Sequence, residues 1–73
     1  MTIQELIKEA KKAGFTMVSD GVEMWDLDNF LEAMQDDEAD YSFHFEGIVR
    51  RYDERGYEES SPLFRFFKGE GEL

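Results

Sequence analysis

Asp28, Glu32, Asp36 and Asp40 recur at every fourth position. On a helix the first three would stand on one side, roughly 6 Å apart along the axis. Carboxylates in a row can exchange protons, ligate a cation, or present negative charge as a phosphate backbone does. The surroundings favour the last. Asp37 and Glu38 thicken the row, and like charges four apart destabilise an isolated helix by roughly 0.2–0.5 kcal/mol per pair. Asp36, Asp37 and Glu38 would also lie at a helix C-terminus, the end that disfavours negative charge. Two local rules broken in one segment point to function. The plain alternative is a solvated face that serves solubility.

The other chemistries fit less well. Asp26-x-Asp28 opens like a calcium loop, but Phe30 stands where an oxygen ligand belongs, Leu31 replaces the turn glycine, and Asp37 replaces the closing Glu. No metal site is expected, and the chain has no Cys to build one from thiolates. His44 is the single His, and it alternates with Phe43 and Phe45. Ser42, Ser60 and Ser61 form no recognised nucleophile motif with it, so a structural His is expected and no catalytic residue or cofactor is assigned. Gly69-Glu70-Gly71 is an acidic tail rather than a phosphate cradle. Phe64-Arg65-Phe66-Phe67-Lys68 interleaves aromatic and basic groups as single-strand binders do, but the overall charge opposes a polyanion.

That charge is lopsided. The formal net charge is −10. From Ala13 to Val49 there is no Lys or Arg, against ten acids: Asp20, Glu23, Asp26, Asp28, Glu32, Asp36, Asp37, Glu38, Asp40 and Glu46. The rest balances, with eight acids and eight bases. Such a block creates a directional field that attracts a basic partner and repels nucleic acid and anionic membrane.

The elements that must position these groups are short. A chain of 73 residues makes one domain. Its seven Phe, three Tyr and one Trp must supply much of the burial. Thr2 and Glu5 fit a capping box, with Met1 and Leu6 as the accompanying apolar pair. Ile3, Leu6, Ile7 and Ala10 then form one face of a helix over about 3–13, stopped at Gly14. Asp20-Gly21 between short apolar runs predicts a two-residue hairpin with Met17 facing Met24 and Val18 facing Glu23. Asp26 caps a second helix over about 27–36 with Leu27, Phe30, Leu31 and Met34 inward, and Trp25 stapled to Phe30.

Beyond it, a long hairpin closes at Asp53-Glu54-Arg55-Gly56, so that Tyr52 faces Tyr57, Arg51 faces Glu58 and Arg50 faces Glu59. Further out Phe45 faces Phe64, Phe43 faces Phe66 and Pro62 sits opposite Gly47. A helix over 46–55 is the competing arrangement. Phe66 and Phe67 cannot share a face, so Phe67 is expected to meet a partner or a second copy of the chain.

The fold class is therefore α+β: a small single domain over 1–68 in the order α-β-β-α-β-β, two helices packed on an antiparallel sheet. Gln35–Asp40 and an acidic tail over 69–73 are expected to be mobile. Met1-Thr2-Ile3-Gln4-Glu5 lacks the basic and apolar parts of a signal peptide, and no apolar run approaches a membrane span, so a cytoplasmic protein is expected.

The stretch Glu5-Leu6-Ile7-Lys8 through Ala13-Gly14-Phe15, running into a strand, resembles the opening of the small messenger-RNA-cleaving toxins with a double-stranded-RNA-binding-like fold. The resemblance covers about 20 residues. That family places a catalytic His just after the strand in a Gly-Ser-His context; here Ser19-Asp20-Gly21-Val22-Glu23 stands in its place, so the activity does not carry over. In general character the chain is similar to small, acidic, cysteine-free phage inhibitors of defence nucleases, including anti-CRISPR proteins.

The expectation is a non-enzymatic inhibitor that occludes the basic site of a nucleic-acid-handling protein by mimicry. Asp28, Glu32, Asp36, Asp37, Glu38 and Asp40 are its contact residues, with Phe67 as a further contact. It should not itself bind DNA or RNA. The alternative is an interaction module working through the Phe-rich C-terminal hairpin.

Overall fold

The Thr2 hydroxyl accepts from the Glu5 N–H at 3.2 Å, and the Glu5 carboxylate accepts from the Thr2 N–H at 2.9 Å. Two otherwise orphaned donors are satisfied, and the chain winds into α1, Ile3–Lys12, in the computed structural model, which describes residues 1–68. Ile3, Leu6, Ile7 and Ala10 are all buried. Gly14 then takes φ +95° and turns the chain into β1, Phe15–Ser19.

The next connection corrects the expected register. A two-residue type I′ turn needs positive φ at Asp20 as well as Gly21, and only glycines have it. Instead the Asp20 carboxylate accepts from the Val22 and Glu23 N–H groups at 2.9 and 2.8 Å, which draws those residues into a longer loop. β2, Met24–Asp26, therefore pairs two residues further along: Met17 faces Asp26 and Val18 faces Trp25.

Asp26 passes straight into α2, Leu27–Ala33, capping it through a 2.8 Å bond from the Asn29 N–H. The Trp25 and Phe30 rings meet edge-on at 6.1 Å, the expected staple. Leu27 and Phe30 are buried, with Leu31 and Met34 packed beside them. The helix stops three residues short of the expected 36, with Met34 as its C-cap. No base stands in its last turn, where the dipole would need one to tolerate Asp36 and Asp37. The Asp37 side chain also bonds the Ala39 N–H at 2.8 Å, a local turn that competes with helix.

The expected long hairpin opens into three strands: β3, Tyr41–Phe43; β4, Ile48–Arg51; and β5, Phe64–Lys68. The chain reverses at His44–Gly47, where the His44 N–H bonds the Ile48 carbonyl at 2.9 Å and Gly47 takes φ +96°. Phe64 consequently lies opposite Val49, not Phe45, and Phe45 is left 86% exposed on the turn. The Asp53–Gly56 turn forms, but Tyr52 bridges Glu58 rather than Tyr57, and Arg51 reaches Glu59 rather than Glu58. Phe66, not Pro62, sits against Gly47, its N–H bonding the Gly47 carbonyl at 2.7 Å. The competing helix over 46–55 does not form.

The result is α+β, a five-stranded antiparallel sheet in the order β2-β1-β5-β4-β3 with both helices on one face. The core beneath the helices is aromatic. Phe15, Phe43 and Phe66 meet at centroid distances of 5.6–6.0 Å. Phe64 joins Phe30 at 4.9 Å and Tyr41 at 5.5 Å. Phe43 and Phe66 touch as expected, but across the intervening β4 rather than as ladder partners. Among the described residues no helix is long and apolar enough to cross a membrane. The expected tail over 69–73 lies outside the described residues.

Candidate protein-binding surface

The acidic row is divided by the end of α2. Asp28 and Glu32 share the helix; Asp36 lies beyond it and Asp40 directly precedes β3. The six expected acidic contacts then have different surroundings. Asp28 bonds Lys11 on α1 at 2.5 Å. Asp40 bonds the Met1 ammonium at 2.6 Å. Asp37 accepts from the Tyr41 hydroxyl as well as from the Ala39 N–H. Glu32, Asp36 and Glu38 are exposed, and their side chains make no hydrogen bond or ion pair among the described residues.

Asp37 and Asp40 thus tie down the segment that was expected to be mobile. Met1 and Tyr41 reinforce it by exchanging bonds of 2.6 and 2.8 Å. Burial, and then the neighbouring Asp37 carboxylate, push the Tyr41 hydroxyl well above its ordinary pKa, so it stays a donor. The connection between α2 and β3 is a built loop that displays Asp36 and Glu38, next to Glu32 on the last turn of α2.

The calcium-like start is used otherwise. Asp26 is occupied with the Asn29 N–H and side-chain amide at 2.8 and 3.0 Å, and Asp28 with Lys11. Among the described residues no group of three acids or His is placed to hold a metal ion.

Glu58, from the β4–β5 connection, comes up against Ser42 and His44, a grouping not read from spacing. The Ser42 hydroxyl donates to Glu58 Oε2 at 2.5 Å, and His44 Nε2 meets the same oxygen at 2.6 Å. A nucleophilic relay needs Ser bonded to His and His to the carboxylate. Here the carboxylate stands between the two, so the group is a clasp holding the β4–β5 connection against β3. The Ser42 hydroxyl, then His44, depress the Glu58 pKa; backbone N–H groups of Glu23 and Val22 depress Asp20, and that of Tyr57 depresses Asp53.

A depressed carboxylate contributes stability above its unfolded pKa and loses it as pH falls through the lower folded value. At neutral pH Asp53→Asn should therefore melt below the parent. That gap should shrink as pH falls below about 4 and close once Asp53 is protonated in both states. A gap in Tm unchanged from pH 7 to pH 2 would show that the ionised form is not the one the turn holds.

Phe67 is 38% exposed, on the sheet face opposite the helices, while its neighbour Phe66 is 1% exposed. Met17, directly across from Phe67, and Met24, across from Ser19, stand on that same face. Sequence reasoning missed both Met residues there, because placing them requires the true register of β1.

Comparison of the chain with protein-family models, with curated proteins and with solved structures gives no match.

Proposed function

We propose that the protein is a non-enzymatic inhibitor that occupies a basic nucleic-acid-binding site on another protein, in the manner of anti-CRISPR or anti-restriction proteins. The observation that carries this reading is the set Glu32, Asp36 and Glu38: three exposed carboxylates, unpaired among the described residues, one at the end of α2 and two on the connection that Asp37, Tyr41 and Asp40 fix. A backbone already held in place loses little freedom on binding, so the ordering cost is confined to the side chains. The −10 field adds long-range steering toward a Lys/Arg groove and repels DNA and RNA themselves. Asp28, Asp37 and Asp40 act in the field while also serving the fold.

The test is Glu32→Gln/Asp36→Asn/Glu38→Gln. None of the three side chains has a partner among the described residues, so Tm should hold or rise slightly as repulsion is relieved. Affinity for a captured basic partner should fall about tenfold or more and lose much of its salt dependence. Binding as tight as the parent's would remove the acidic side from the account.

A second reading has one observation in its favour. Phe67 and Met24 (55% exposed) lie on a sheet face that neither helix covers. In that reading the protein is an interaction module and the acids serve solubility.

A further inference from the structure

The uncovered sheet face differs in charge from the rest of the molecule. Side chains alternate along a strand, so Met17, Met24, Ile48, Arg50, Arg65 and Phe67 share this face by the observed pairings. Pro62 and Leu63 rim a shallow groove running between Ser19, Arg65 and Phe67. Two guanidiniums stand among these apolar groups. Arg65 lies over the Phe67 ring at 5.8 Å and has no ion pair among the described residues. Arg50 has none either, and its buried Nε lacks any acceptor. Glu58, close enough to Arg50 to feel its charge, is already held by Ser42 and His44. Asp26, beside Met17, is spent on the α2 cap.

Two guanidiniums with no ion pair among the described residues, set beside the exposed Met24 and Phe67, call for an acceptor with apolar neighbours. We propose that this face docks an acidic amphipathic segment of another protein. Its apolar side chains cover Met17, Met24 and Phe67, and its Asp or Glu carboxylates reach Arg65 and Arg50. The face is small. Five strands of three to five residues, at about 4.8 Å spacing and about 3.4 Å per residue, give at most roughly 400 Å². A stable globular partner needs about 800 Å² per side, so the area suits one segment rather than a second copy. Pairing the face with itself would also bring guanidiniums toward guanidiniums. The molecule's own acids do not forbid an acidic ligand. Glu32 stands on α2, across the sheet from this face; packed layers lie about 10 Å apart, and at physiological salt the Debye length is about 8 Å.

The probe is a labelled 15-residue amphipathic peptide of Leu, Phe and Glu, with a second peptide carrying Lys in place of every Glu. Fluorescence anisotropy should show saturable binding of the Glu peptide near a Kd of about 100 μM, and none of the Lys peptide on this face. Arg65→Glu and Phe67→Ala should each weaken it about tenfold while melting close to the parent. Glu32→Gln/Asp36→Asn/Glu38→Gln should leave it unchanged, which separates this inference from the inhibitor reading. NMR shifts on adding the Glu peptide should fall on Met17, Met24, Arg65 and Phe67. The inference is overturned if the Glu peptide does not bind, if Phe67→Ala does not weaken it, or if its shifts fall elsewhere. Concentration-dependent dimerisation abolished by Phe67→Ala would equally overturn it, by naming a second copy as the occupant.

Discussion

Phe66→Ala should cost about 3–5 kcal/mol, the usual loss for a buried Phe whose cavity cannot collapse. Phe66 is 1% exposed, held between Phe15 and Phe43 with ring distances of 5.9 and 5.6 Å. At about 0.05–0.15 kcal/mol per residue, a chain of 73 residues possesses about 4–11 kcal/mol in all. The variant should therefore be marginal or unfolded at room temperature. Phe66→Leu keeps most of the volume and should remain folded at a lower Tm. Phe67→Ala and Phe45→Ala should each cost less than about 1 kcal/mol, since these rings are 38% and 86% exposed. Urea unfolding of the four variants decides the matter. A loss at Phe45 or Phe67 equal to that at Phe66 would contradict the division of the sheet into a covered and an open face.

Gly47→Ala should be the most costly glycine substitution among Gly21, Gly47 and Gly56. All three have positive φ, +96°, +96° and +88°, so each Ala meets backbone strain of about 1–2 kcal/mol. At Gly21 and Gly56 an added Cβ meets nothing within 4 Å. At Gly47 it would stand 2.7 Å from the Phe66 carbonyl oxygen and 3.2 Å from the Phe15 ring. Neither neighbour can retreat, because the Phe66 backbone is bonded to Gly47 and the Phe15 ring is in the core. Overpacking adds about 1–3 kcal/mol, for a total of about 2–5 kcal/mol. Equal losses at Gly47 and Gly21 in denaturant unfolding would mean that the turn carries the ring cluster less tightly than described.

These two results rest on features of unequal legibility in the sequence. α1, its capping box, the Trp25–Phe30 staple and the separation of Phe66 from Phe67 are set by residues a few positions apart, and all were readable. Strand register was not. Asp20-Gly21 has the composition of a tight turn, but the Asp20 carboxylate captures two N–H groups and lengthens the loop. Phe43, Phe45, Phe64 and Phe66 alternate well enough to suggest one ladder. Gly47 reverses the chain between them, and that depends on a close approach to Phe66 and Phe15 that no local pattern encodes.

The acidic row failed for a related reason. Spacing by four describes a face only while the helix lasts, and α2 ends at Ala33. Asp40, grouped by its spacing, and Asp37, grouped by its charge, have particular partners in Met1 and Tyr41 that lie outside the row. Glu32, Asp36 and Glu38 are what remains of it as free charge.

Competition by nucleic acid tests the inhibitor account most directly. The immobilised protein is exposed to a cell extract at about 0.15 M salt, the range in which buried or clustered charges still act and isolated surface charges are largely screened. A short DNA or RNA duplex is then applied, beside an uncharged polymer as control. The account predicts that retained proteins are basic nucleic-acid binders, that the duplex releases them and the uncharged polymer does not, and that Glu32→Gln/Asp36→Asn/Glu38→Gln retains few of them. Retained proteins that ignore the duplex, or that bind the triple variant as well as the parent, would contradict it.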